Sequence, residues 1–120
     1  MSAQAILLVA HGARDPGWAA PIERLAGEVE KRSEGSAVRI AYLEFLKPGI
    51  PEALDLLRQE GACKVRVVPV FLGAGTHVVY DIAGRVTAAR VMRPDLEIAI
   101  DPPVGTQPQV TEAIASAIAA

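Results

Sequence analysis

At 120 residues the chain has room for one domain with a real core and too little for two, so residues 1–120 are expected to form a single α/β domain. One cysteine excludes a disulfide-stapled scaffold, and a net charge of −2, from 12 Lys and Arg against 14 Asp and Glu, excludes a general field that draws nucleic acid. The 51 % hydrophobic content and mean hydropathy of +0.28 are high for so small a protein, which implies apolar surface left over after folding and hence a homodimer.

The first element is the apolar run Ile6-Leu7-Leu8-Val9-Ala10, read as a strand over residues 4–10 buried on both faces. It stops at His11-Gly12, and Asp15-Pro16 offers an N-cap followed by a proline suited to a first helical turn. A helix is expected over residues 18–32, with Ile22, Leu25, Ala26 and Val29 at helical spacing. After the turn Ser33-Glu34-Gly35-Ser36, a second strand carries Val38, Ile40, Tyr42 and Leu43 and ends at Glu44. A second helix begins near Pro51, buries Ala53, Leu54, Leu56 and Leu57, and ends at Gly61. Cys63 is expected to be a small buried hydrophobe before a third strand over residues 64–72, where Pro69 implies a bulge or a missing ladder bond. Gly73-Ala74-Gly75-Thr76-His77 leads into a third helix over residues 78–92, with Val79, Ile82, Val86 and Ala89 inward and Arg93-Pro94 as its stop. A fourth strand over residues 96–100 and a last helix over residues 108–120, striped with Val110, Ile114 and Ile118, complete four β-α units. Such alternation predicts an open parallel sheet covered by helices, in the order 2-1-3-4.

Both histidines then fall just past the carboxyl end of a strand, His11 after the first and His77 after the third, and Glu44 ends the second. In that order the three strands are adjacent, and open α/β sheets bind ligands at this edge. Two imidazoles and a carboxylate suit a borderline divalent ion, and they can also move protons near neutral pH. Each residue has an ordinary reading as well: a hydrogen-bonded loop histidine, or a strand-end charge paired with Lys47. Gly73-Ala74-Gly75-Thr76 could cradle an anion on backbone N–H groups, yet it lacks the lysine and spacing of a P-loop, so no ATP or NAD binding is expected. No serine or cysteine stands in a nucleophile setting. Trp18 reads as core or interface.

The motifs Leu8-Val9-Ala10-His11-Gly12-Ala13-Arg14-Asp15-Pro16, Tyr42-Leu43-Glu44, Ile50-Pro51-Glu52-Ala53-Leu54, Val68-Pro69-Val70-Phe71-Leu72 and Gly75-Thr76-His77-Val78 resemble those of the small sirohydrochlorin chelatases. These are class II chelatases of tetrapyrrole biosynthesis. The resemblance spans most of the chain and implies insertion of Co²⁺, or of Fe²⁺ or Ni²⁺, into sirohydrochlorin on the way to cobalamin or sirohaem. It maps His11 and His77 onto the metal-binding or metal-delivering histidines and Glu44 onto the family's glutamate. Ala13 stands where a serine often follows the His-Gly pair. The substrate's carboxylates would then need Arg14, Lys47, Arg85 or backbone N–H donors at Gly75 and Thr76. No organic cofactor, nucleic-acid partner or membrane is implied, and with no signal pattern at the N-terminus a cytoplasmic enzyme is expected. Two other readings stay open: a metal- or tetrapyrrole-binding module without turnover, and a structural subunit in which both histidines are dispensable.

Overall fold

A central strand flanked on both sides sets the architecture. The structure, a computed structural model, describes residues 4–120. Strand β1 (Gln4–Ala10) pairs in parallel with β2 (Ala37–Tyr42) and with β3 (Lys64–Pro69), and β3 pairs in parallel with β4 (Glu97–Ile100), giving the order β2-β1-β3-β4. The expected sheet is therefore the one formed. The intervening helices are α1 (Ala20–Arg32), α2 (Ile50–Gln59), α3 (Thr76–Met92) and α4 (Pro108–Ala119).

Because side chains alternate along a strand, β1 feeds two cores. Ala5, Leu7 and Val9 pack with Val65, Val67 and Ile98 against Ile50, Ala53, Leu54 and Leu57 of α2 and Ile82, Val86 and Ala89 of α3. Ala10 joins Ala19 and Tyr42 in a smaller cluster on the other side, with Ile22 of α1 against it. Truncating Leu54, which is fully buried, to alanine would cost about 2–5 kcal/mol. A buried Arg93 ties the end of α3 to α2: its Nε and Nη2 donate to Asp55 Oδ1 and Oδ2 at 2.7 and 2.9 Å, and its remaining donors meet the Pro51 and Ala89 carbonyls. Those donated bonds hold the Asp55 carboxyl below its ordinary pKa.

Several local expectations are corrected. The first helix does not start at Trp18. Asp15 Oδ1 accepts from Gly17 N at 2.9 Å and caps a single 3₁₀ turn, Pro16–Ala19, before α1 begins with Pro21 in its first turn. Strand β3 ends at Pro69 rather than Leu72: Pro69 opposes Val9, Val70 N still donates to Val9 O at 2.8 Å, and the proline closes the strand with no bulge. Cys63 is exposed: it sits at the amino end of the β3–β4 pairing, where its carbonyl still accepts from Glu97 N at 2.9 Å. Val79 and Leu56 point outward. On α4 no residue is fully buried: Val110 is half-buried, Ile114 is 37 % exposed and Ile118 79 % exposed. Helix α4 meets the rest of the chain chiefly through the 3₁₀ turn Val104–Thr106.

Candidate functional site

The carboxyl edge of the sheet is laced by backbone bonds that continue the β1–β2 pairing past the last strand residues. Leu43 N donates to Ala10 O at 3.1 Å, and Glu44 N donates to His11 O at 2.9 Å. His11 and Glu44 are thus neighbours across a rung, both exposed. Gly12 makes this approach possible. Its backbone is buried at φ +95°, and a Cβ there would collide with the Glu44 carbonyl, so only glycine fits.

His11 Nδ1 lies 3.2 Å from the Gly12 carbonyl. A carbonyl only accepts, so this contact favours the proton on Nδ1 and leaves the Nε2 lone pair available as base or ligand. His77 is not in a loop after β3, as expected, but in the first turn of α3, because the helix starts at Thr76 with Gly75 as its N-cap residue. It too is exposed. Val78 N and Val79 N donate to Gly75 O at 3.1 and 3.2 Å and fix that first turn. The topology therefore brings the three elements to one edge. Among the described residues, however, no three His, Cys, Asp or Glu side chains cluster closely enough to hold a metal ion as a preformed cage.

The basic residues divide. Arg85, four residues beyond Asp81 and eight beyond His77 on α3, donates from Nε to Asp81 Oδ1 at 3.0 Å and from Nη1 to the Leu43 carbonyl at 3.1 Å. It bridges the helix that carries His77 to the segment that carries Glu44, with two of its donors committed inside the protein. Arg14 and Lys47 are exposed, and among the described residues neither Glu44 nor Lys47 enters an ion pair. The Arg14 guanidinium instead lies 4.9 Å from the centroid of the Phe45 ring. Trp18, 38 % exposed, meets the Tyr42 ring edge-on at 6.4 Å and so straddles core and surface. Burial first, and the Glu23 charge second, raise the Tyr42 hydroxyl pKa. Beside the Gly73–Gly75 loop, an apolar cleft of about 60 Å³ opens between Pro69, Ala74, Val79 and Pro103. Phe45, which the sequence reading does not single out, is an exposed aromatic between Glu44 and the Lys47-Pro48-Gly49 turn, where no helix or strand period needs it.

Known proteins resemble the chain in both sequence and fold. A sirohydrochlorin cobaltochelatase of Methanocaldococcus jannaschii is 39 % identical over 79 residues, which cover 66 % of this chain and 55 % of that protein. The chain thus spans about half the length of several curated relatives that it matches. A sirohydrochlorin cobaltochelatase of Saccharolobus solfataricus is 34 % identical over 115 residues, covering 91 % of this chain and 88 % of the relative. Among solved structures, a cobalamin (vitamin B12) biosynthesis CbiX protein from Marinobacter aquaeolei superimposes with a TM-score of 0.84 at 28 % identity, over 96 % of this chain and 93 % of that one. The sirohydrochlorin chelatase SirB from Bacillus subtilis subspecies spizizenii, in complex with cobalt, aligns with a TM-score of 0.78 at 28 % identity, over 96 % of this chain but only 49 % of its own. The CbiX family model matches residues 5–120, nearly the whole length, and with that extent of agreement in sequence and fold the chain belongs to the CbiX family.

Proposed function

We propose that this chain is a sirohydrochlorin cobaltochelatase, a lyase-class chelatase that inserts Co²⁺, with Fe²⁺ or Ni²⁺ as further substrates, into sirohydrochlorin. The observation that carries the reading is the His11–Glu44 rung at the carboxyl edge of adjacent strands, with His77 opening the helix that follows the next strand. Metal insertion requires that the ion shed water and that two pyrrole N–H protons leave. Exchangeable ligands beside proton acceptors meet both demands, and an open set of groups releases its ion more readily than a closed cage. His11, through Nε2, and His77 act as metal ligands or bases, and Glu44 neutralises charge or takes the second proton. Arg14, Lys47 and the first-turn N–H groups around Gly75 and Thr76 hold substrate carboxylates. Arg85 contributes by holding α3 to the Glu44 segment, which leaves it less free to bind substrate than its position in the sequence implies.

A second copy is part of the reading. The uncovered apolar stripe of α4, with Ile114 37 % and Ile118 79 % exposed, supports a homodimer, and the whole chain then acts as one unit of a cytoplasmic biosynthetic enzyme.

The test is sirohydrochlorin with Co²⁺, Fe²⁺ or Ni²⁺, with and without protein, followed by absorbance. Wild type accelerates the spectral change, and alanine at His11 or at His77 lowers the rate about 10²–10⁴-fold while the protein stays folded. Glu44→Gln lowers it equally if Glu44 is a base and less if it only tunes charge. Full activity in either folded histidine variant overturns the assignment, and metal binding without any spectral change leaves only a binding module.

A further inference from the structure

Phe45 combines three features that packing does not require of it. It is the one non-glycine residue with positive φ among the described residues, at +66°, in a one-residue turn closed by Leu46 N donating to Glu44 O at 2.7 Å. That conformation is a strained one for a side chain as large as phenylalanine. The strain leaves most of the ring in solvent, since the residue is 57 % exposed. The ring is nevertheless not loose in solvent, because Arg14, from the segment that follows His11, sets its guanidinium 4.9 Å from the ring centroid. Among the described residues Arg14 makes no ion pair, so its donors remain open. Strained residues persist where the surrounding structure fixes them, and they concentrate at ligand-binding positions. Here the fixing is visible on both sides: Glu44 is bonded to His11, and Tyr42 N donates to Pro48 O at 2.9 Å to close the loop.

We propose that Phe45 and Arg14 form the platform on which the tetrapyrrole lies. Arg14 covers one side of the ring, the open remainder of the ring stacks on the flat conjugated face of the macrocycle, and the Arg14 N–H donors reach a peripheral carboxylate. A flat, conjugated polyanion is the ligand class that uses an aromatic face and a bare guanidinium at one point. The turn at Phe45 thus presents the macrocycle to Glu44 and, across the rung, to His11. The inference rests on the chelatase reading for its substrate, but it concerns binding and is separable from insertion.

The test uses Phe45→Gly, because glycine adopts positive φ freely and should leave the turn and the melting temperature intact or improved. Metal-free sirohydrochlorin is titrated against wild type, Phe45→Gly, Phe45→Tyr and Arg14→Gln by absorbance, and insertion of Co²⁺ is then measured. Phe45→Gly is expected to weaken tetrapyrrole binding and raise KM at least tenfold with kcat changed less than twofold. Phe45→Tyr restores both, and Arg14→Gln weakens binding with a reduced salt dependence. The platform is overturned if Phe45→Gly binds as wild type does, if it lowers kcat without changing KM, or if sedimentation shows that it loses a dimer that wild type forms. Wild-type protein that binds the tetrapyrrole through Phe45 but inserts no metal sinks the chelatase reading and leaves the platform standing.

Discussion

Gly12→Ala is the substitution whose effect the structure fixes most directly. Gly12 sits at φ +95°, where a residue with a Cβ loses roughly 1–2 kcal/mol. The added Cβ would also fall on the Glu44 carbonyl, which accepts from Leu46 N; displacing it strains that bond and the adjoining rung from Glu44 N to His11 O, and losing one such bond is a further net cost of about 0.5–1.5 kcal/mol. The two together come to about 1.5–3.5 kcal/mol, or a fall of roughly 10 °C in Tm for a chain of this size. Gly61→Ala is the built-in comparison. Gly61 has nearly the same backbone angle, φ +98°, but its Cβ would meet nothing within 4 Å, so it carries the backbone loss alone. Urea unfolding followed by circular dichroism should place Gly12→Ala below Gly61→Ala, and only Gly12→Ala should lose metal insertion, since it alone separates His11 from Glu44. If both variants unfold at one midpoint and insert metal equally well, the close approach of the two segments is not what requires glycine at position 12.

Two further predictions concern assembly and acid stability. Sedimentation should find a homodimer, and Ile114→Asp with Ile118→Asp should convert it to a folded monomer, since neither side chain supports the core; a wild-type monomer across micromolar concentrations refutes this. The Arg93–Asp55 pair predicts a pH dependence: Arg93 lowers the Asp55 pKa in the folded state, so the stabilisation is present above the unfolded carboxylate pKa and disappears as pH falls through the folded one. Stability measured from pH 6 down to pH 3 should therefore fall more steeply in wild type than in Asp55→Asn, and parallel curves would rule the linkage out.

The sheet was legible in the chain because hydrophobic period and chain alternation are local properties. The apolar run Ile6 to Ala10 suits a strand inside a parallel sheet, and strands separated by helices leave few orders to choose from. The same logic places His11 after β1, Glu44 after β2 and His77 after β3 from sequence alone. What lay beyond it depends on contacts between distant segments. Whether Arg85 faces a substrate or the Leu43 carbonyl is decided by how α3 packs against the β2 end, 42 residues away in sequence. Phe45 is held out by a turn whose bonds come from Glu44, itself anchored on His11, and no propensity scale places phenylalanine at φ +66°. The apolar stripe of α4 is identical in pattern to a buried one, and only the tertiary structure shows that it is partly covered at Val110 and opens to solvent toward Ile118. Period reports which face of a helix is apolar; what covers that face is a property of the assembled chain.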